Sequence, residues 1–131
     1  MTGTELTDLY RGYITCLNSQ NWPELSRFVD VEVHYNGQRV GLEGYRRMLE
    51  EDFRAIPDLR FNVELLVAEP PRVACRLRFD CTPAGMLFGF PVNGTRVAFS
   101  ENVFYEFQNG KIRHVWSVID KAAVGAQLRH P

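Results

Sequence analysis

The sequence predicts an α+β fold, helices first and long antiparallel strands after, on three observations. Residues 4–19 and 42–55 place apolar side chains at helical spacing. From residue 59 onward the apolar period drops to two. Asn-Gly pairs at 93–94 and 109–110 then supply the turns such strands need. With 131 residues, 45% hydrophobic and 24% charged, the chain can bury a real core, and 1–131 reads as one domain.

Each element has its own signal. In 4–19, Leu6, Leu9, Tyr10, Tyr13, Ile14 and Leu17 form one helical stripe. A second, short helix should start at Asn21, with Glu24 closing a capping box and Pro23 tolerated in the first turn. VEVHY at 31–35 is a short strand ended by Asn36-Gly37. Helix 42–55 buries Leu42, Tyr45, Met48, Leu49 and Phe53, and Ile56-Pro57 stops it. Strand 59–68 sets Leu59, Phe61, Val63, Leu65 and Val67 against Arg60, Asn62 and Glu64. After Pro70-Pro71, strand 73–82 sets Val73, Cys75, Leu77, Phe79 and Cys81 against Arg76, Arg78 and Asp80. Residues 83–92, PAGMLFGFPV, form an apolar loop too rich in Gly and Pro for regular structure. A strand over 95–107 turns at Asn109-Gly110 into NGKIRHVWSVID at 109–120. The helices should cover one face of a curved sheet.

Composition narrows the function classes. Fifteen basic against sixteen acidic residues leave a net charge of −1 without a basic stripe, so no nucleic-acid partner is expected. The start, MTGTELTDLYRGY, lacks the plan of a signal peptide. No apolar run approaches the roughly 18 residues of a membrane helix, so no membrane partner is expected. Three cysteines, an odd number, suit a reducing cytoplasm. Cys75 and Cys81 should lie about 20 Å apart along one strand, beyond disulfide reach; with Cys16 they read as small buried hydrophobes.

Two residues stand out as candidate acid/base groups. On 95–107, Val97, Phe99, Val103, Tyr105 and Phe107 form one row, and Glu101 interrupts it. If that row faces inward, Glu101 loses hydration, its pKa rises, and it suits general acid/base work. A bulge turning it outward, or an ion pair with an arginine, is the structural alternative. His34 lies on the more polar side of VEVHY, where it is either an acid/base group or a hydrogen-bonded structural imidazole. His34, His114 and His130 show no metal-ligand spacing, so no metal site is expected. No phosphate-cradling glycine motif occurs, and Ser117 has no base beside it in sequence. In 109–120, strict alternation groups Ile112, His114, Trp116, Val118 and Asp120 on one face, with Arg113, Val115, Ser117 and Ile119 on the other.

The stretches GLEGYRRMLEEDFRAIPDLRF, RLRFDCTPAGMLFGFPVNGTRVAF and NGKIRHVWSVID, with a final QL, resemble the SnoaL-like polyketide cyclase group of the NTF2-like superfamily. Members are often labelled ester cyclases. The resemblance runs from Tyr13 to Leu128 and implies a cone: a strongly curved antiparallel sheet wrapped round an apolar pocket, closed by N-terminal helices. It implies dimerisation through the outer sheet face and an intramolecular aldol ring closure without metal or organic cofactor. The group's usual histidine on the first hairpin strand and aspartate after the tryptophan fall on Val103 and Ser117, and the histidine that often follows the loop threonine falls on Pro83. His34 and Asp58, in the PDL motif, match; Asp58 is read as capping the turn into its strand.

The same resemblance turns Phe99, Val103 and Tyr105 inward, with Ser117, Arg113, Val115 and Ile119, and leaves His114, Trp116 and Val118 on the outer, homodimer-forming face. Pocket-wall candidates are Tyr13, Phe53, Asp58, Phe61, Phe79, Phe88, Phe99, Val103, Tyr105 and Ser117. Two function classes follow. One is a small cofactor-independent enzyme in which His34, with Glu101, moves a proton on a hydrophobic carbonyl compound. The other is a non-catalytic carrier or sensor of a hydrophobic small molecule. Two ionisable groups converging in the cavity favour the enzyme; a dry cavity favours the binder.

Overall fold

Thr2 starts the first helix. Its hydroxyl accepts from the Glu5 N–H and the Glu5 carboxylate accepts from the Thr2 N–H, each at 3.1 Å, so two otherwise unpaired donors are satisfied reciprocally. Helix α1 (Gly3–Asn18) follows in the computed structural model, which describes residues 1–129. His130 lies outside the described residues. The α1 stripe of Leu6, Tyr10, Tyr13 and Leu17 is buried against the sheet. At its end the Asn18 side-chain amide donates to Phe61 O (3.0 Å) and accepts from Phe61 N–H (2.8 Å), tying the helix to the start of a strand.

The second helix is a 3₁₀ helix, Trp22–Arg27, and the expected capping box does not form. Asn21 has ψ of 71°, short of the extended geometry a capping side chain needs, and Glu24 instead pairs with Arg27 at 2.7 Å. Strand β1 (Val29–Tyr35) turns through Asn36-Gly37, both at positive φ, into the two-residue β2 (Gln38–Arg39). Helix α2 (Gly41–Ala55) leads to β3 (Asn62–Glu69) and β4 (Arg72–Cys81). Within the loop expected to be irregular, Met86–Leu87 (β5) and Phe90–Pro91 (β6) form a tiny hairpin. Its turn residues Phe88 and Gly89 both have positive φ, as a tight hairpin turn demands. Strands β7 (Val97–Gln108) and β8 (Lys111–Ile119) complete the sheet.

A third helix, α3 (Lys121–Arg129), was not foreseen: KAAVGAQLR is short and only weakly amphipathic. Tertiary bonds account for its place. Strand β7 outruns β8 at Val97–Ser100, and Gln127 fills the gap, accepting from Ala98 N–H (2.8 Å) and donating to Ala98 O (2.5 Å). A side-chain amide thus substitutes for the missing strand.

The sheet order is β2-β1-β8-β7-β4-β3. The expected antiparallel sheet is in fact mixed, because β1 runs parallel to β8. No hairpin joins those two strands, so local turn signals say nothing about their relative direction.

Pairing slips at three places: between β1 and β8, β3 and β4, and β7 and β8. Each slip changes which side chains face the helices. In β3 the phase changes after Val63, so Leu66 and Ala68 pack inward while Leu65 and Val67 are exposed, against the expected single row. In β8 Ile112 and Val115 are both buried, which strict alternation forbids. Arg113, expected inside, pairs with Asp30 at 3.2 Å.

Cys16, Cys75 and Cys81 are all buried and unpaired. No described helix is long and apolar enough to cross a membrane.

The β8 slip makes a stability prediction. Ile112, 0% exposed, should lose about 2–5 kcal/mol on Ile112→Ala. His114→Ala should cost less than about 1 kcal/mol. Urea unfolding of both variants checks this; equal losses would place the two residues on one face.

Candidate active site

Glu101 lies in β7 between Phe99 and Val103 on the buried row, so its carboxylate is carried into the interior with them. Ser117, on the neighbouring strand, donates its hydroxyl proton to Glu101 Oε2. Burial pushes the Glu101 carboxyl above its ordinary value, and the Ser117 bond opposes that rise by favouring the charged form.

Glu101 borders two small hollows. One, about 50 Å³, has a wall rich in phenols: Tyr13, Tyr35, Tyr45 and Tyr105, with Val103 and Leu77. The other, about 60 Å³, is lined by rings and aliphatics: Phe79, Phe88, Phe99, Ile56, Leu59 and Leu87. Phe61, Asp52 and Glu101 belong to both walls, so the two lobes meet at a waist carrying two carboxyl groups.

The phenols are tied together. The Tyr13 and Tyr45 hydroxyls lie 2.7 Å apart, and Tyr10 donates to Tyr105 at 3.2 Å. Burial raises all four above the ordinary phenol range, so they stay protonated, and Tyr13, Tyr45 and Tyr105 among them line the lobe.

Asp52 comes from the last turns of α2 and sits at the rim, with one side still in solvent. Partial burial, and then the nearby Glu101 charge, raise its carboxyl to about 7. Solvent on its outer side screens part of that repulsion.

Beyond the waist lies an open cleft formed by Tyr35, Asn36, Ser117, Val118, Ile119 and Lys121. Tyr35 also faces the phenolic lobe and Ile119 the apolar one, so the cleft marks the mouth of the cone. Lys121 Nζ lies 5.5 Å from the centre of the Phe88 ring at the edge of this mouth.

The expected site residues divide accordingly. Tyr13, Phe61, Val103 and Tyr105 line the phenolic lobe; Phe61, Phe79, Phe88 and Phe99 line the apolar lobe; Glu101 borders both. Four others lie elsewhere. His34 is on the convex side of the sheet, register partner of His114, with the two rings 5.0 Å apart and His114 stacked on Trp116 at 5.5 Å. The expectation that His34 works with Glu101 as an acid/base group is therefore corrected: Val33 and Tyr35 point inward, so the polar side of the strand that carries His34 faces away from the hollow. Phe53 sits one layer behind the wall, between Trp22 (5.9 Å) and Phe61 (6.1 Å). Asp58 accepts from Thr82 N–H at 2.8 Å and clasps the loop to the end of α2 rather than facing the hollow. Ser117 faces the mouth and acts on the hollow through Glu101. His114, Trp116 and Val118 are on the convex face, Val118 70% exposed.

Asp52, Tyr35 and Tyr45 were not foreseen as site residues. Asp52 carried a readable signal: it falls at helical spacing with Tyr45, Met48, Leu49 and Ile56, a polar break in an apolar stripe. That is the helical counterpart of Glu101 in its strand row. Among the described residues no three His, Cys, Asp or Glu side chains gather as a metal site.

Helices laid over a bent sheet, with an apolar hollow between them, define an NTF2-like α+β cone. Residues 7–128 match the family model for SnoaL-like polyketide cyclase, and the chain belongs to that family. A SnoaL-like polyketide cyclase of known structure from Agrobacterium tumefaciens is 52% identical, with 98% of each chain covered and a TM-score of 0.93. TsrD from Streptomyces laurentii shares the fold at 20% identity, covering 98% of this chain and 97% of its own, TM-score 0.85. IdmH from Streptomyces antibioticus does so at 19%, covering 95% and 98%, TM-score 0.82. No curated protein matches.

The raised Asp52 carboxyl predicts a pH dependence. A folded-state value of about 7 against an ordinary 3.8 means that the protonated form favours folding. That contribution is complete below the unfolded value and is lost as pH rises through the folded one. Asp52→Asn should remove this loss and raise the thermal midpoint relative to the wild type at pH 8 more than at pH 4. Melting curves at the two pH values check it; equal shifts would mean an unperturbed Asp52.

Proposed function

We propose that this protein is a cofactor-independent acid/base enzyme of the SnoaL-like type, acting on a hydrophobic carbonyl compound. One observation carries the reading: Asp52 and Glu101 border the same apolar hollow at its waist. Mutual repulsion favours the state with one carboxyl ionised and the other protonated. Glu101, steadied by the Ser117 hydroxyl, is the base that removes a proton next to the ligand carbonyl. Asp52 is the acid, and the protonated phenols of the polar lobe can donate to the oxygen on which charge develops. An enolate formed there can attack a second carbonyl of the same molecule, which is ring closure without any organic cofactor or metal. A carrier needs no such pair, and ionisable groups bordering a purely binding pocket would only weaken apolar affinity.

Glu101→Gln keeps the shape and the Ser117 partner but removes the base. Turnover should fall about 10²–10⁴-fold with ligand affinity largely retained. A screen of hydrophobic ketones and diketones, followed by kinetics on the best substrate, checks this. Undiminished turnover would remove Glu101 from the mechanism, and binding without any turnover would favour the carrier.

We also propose that the convex sheet face pairs with a second copy. Leu65, Val67, Phe104, Trp116 and Val118 are exposed there, with Phe104 at 59%. Apolar side chains clustered on one face of a sheet mark an association surface. The buried free thiols support a reducing, cytoplasmic setting. Trp116→Arg should convert a dimer to a monomer in sedimentation; a monomeric wild type would refute the pairing.

A further inference from the structure

We propose that His34 and His114 form a two-imidazole chelate on the convex face of the sheet, binding a late first-row divalent metal ion, Cu²⁺ or Zn²⁺. The site lies apart from the hollow and does not depend on the acid/base reading.

Strand register brings the two residues together. Strands β1 and β8 pair at Val29 and Ile112, slip, and resume at His34 opposite His114 and Tyr35 opposite Val115. Register partners sit about 4.8 Å apart across neighbouring strands and send their side chains to one face. His34 and His114 therefore leave the sheet side by side, ring centroids 5.0 Å apart and planes 36° apart.

That spacing is the one a shared ion imposes. A metal–imidazole bond of about 2.0–2.1 Å, with the nitrogen about 1.1 Å from its ring centre, sets two imidazoles on one ion about 4.5–5.2 Å apart at angles of about 90–109°. The observed 5.0 Å falls within this range, so rotation of the side chains suffices and neither strand has to move.

A second observation points to a ligand. His34 Nδ1 is shielded from solvent and has no hydrogen-bond partner among the described residues. Buried polar atoms are nearly always paired, and an orphan calls for an ion or other group beside it. The lone pair of a neutral imidazole is satisfied by a metal ion as well as by an N–H donor.

The neighbours neither claim these rings nor repel a cation. Across the sheet Arg39 is the register partner of His34, and Glu106 that of His114. Arg39 is held by Glu32 at 2.7 Å, and Glu106 by Arg72 at 3.2 Å. Each of those pairs is neutral in sum. Two imidazoles without a carboxylate suit Cu²⁺ or Zn²⁺ and not Mg²⁺ or Ca²⁺, which take oxygen ligands. The ion's other positions are left to water.

Trp116 serves as a reporter, because its ring stacks on His114 at 5.5 Å with planes 10° apart. Trp22, packed against Phe53, lies elsewhere. The whole chain, stripped with a chelator, is titrated with Zn²⁺, Cu²⁺ and Mg²⁺ in a buffer that binds none of them. Calorimetry should show uptake of Zn²⁺ and Cu²⁺ but not Mg²⁺. Bound Cu²⁺ should quench the Trp116 emission, and its paramagnetic resonance should carry splitting from imidazole nitrogens. His34→Ala and His114→Ala, checked for fold by circular dichroism, should each weaken Zn²⁺ binding by more than the roughly 10–100-fold that losing a ligand's hydrogen-bond partner costs. His130→Ala should bind as the wild type does. Wild-type affinity in either His34→Ala or His114→Ala, or equal quenching in Trp116→Phe, would overturn the site. So would a copper spectrum of the wild type without imidazole nitrogen, a readout that needs no variant to fold.

Discussion

A bulge in a strand bends it and re-aims the side chains that follow, and pairing slips in three strand pairs of this sheet. Had β3 kept one register, Leu65 and Val67 would follow Val63 inward, over the ground now held by Leu66 and Ala68. The slip sends them to the convex side. In β8 the slip lets Ile112 seal the core beneath the strand while Val115 turns to the phenolic lobe and Ser117 and Ile119 to the mouth. The same irregularities thus make a concave face with room for a ligand and a convex face of exposed apolar side chains.

Within that concavity, an ionised carboxylate must be stabilised locally because water cannot do it fully. The support for Glu101 traces back to a turn. Asn36, at φ of +49°, ends β1 and directs its side-chain oxygen to the Ser117 N–H at 2.8 Å, while its own N–H bonds to Val115 O at 2.8 Å. Those two bonds fix Ser117, and Ser117 in turn holds Glu101. A tight turn between short strands is thus linked, through Ser117, to the Glu101 carboxylate on the other side of β8. Among the described residues Asp52 has no such hydrogen-bonded support, and partial burial, with the Glu101 charge, lifts its carboxyl to about 7.

Much of this was legible in the sequence, for identifiable reasons. Periodicity found α1, α2 and the long strands because each has an apolar stripe facing one core. It pointed to Glu101 as the polar break in such a stripe, and the same logic applied to α2 would have reached Asp52. Slips are another matter. A single inserted residue reverses every later side chain, and neither the Val63–Leu65 nor the Ile112–His114 segment announces one. The outward His34 escaped for a related reason: a short strand with polar and apolar residues on both faces does not reveal which face is wet. Helix α3 depends on Gln127 reaching Ala98, a long-range bond invisible to local pattern.

The positions where the family resemblance leads one to expect histidine and aspartate are Val103 and Ser117, direct cross-strand partners on the inner face. Losing both ionisable groups would leave an inert pair if the cavity had no other carboxyl. Glu101 lies two residues from Val103, hence on the same side of β7, and diagonally across from Ser117 within side-chain reach. The hydroxyl that replaces the aspartate is thus not idle: it donates to the carboxylate on the adjoining rung. A period-two strand permits such a displacement without any change of fold, since a move of two keeps the face and shifts the group by about 7 Å along it. At that position the Glu101 carboxylate lies at the waist shared with Asp52, while Val103, further along the strand, lines only the phenolic of the two lobes.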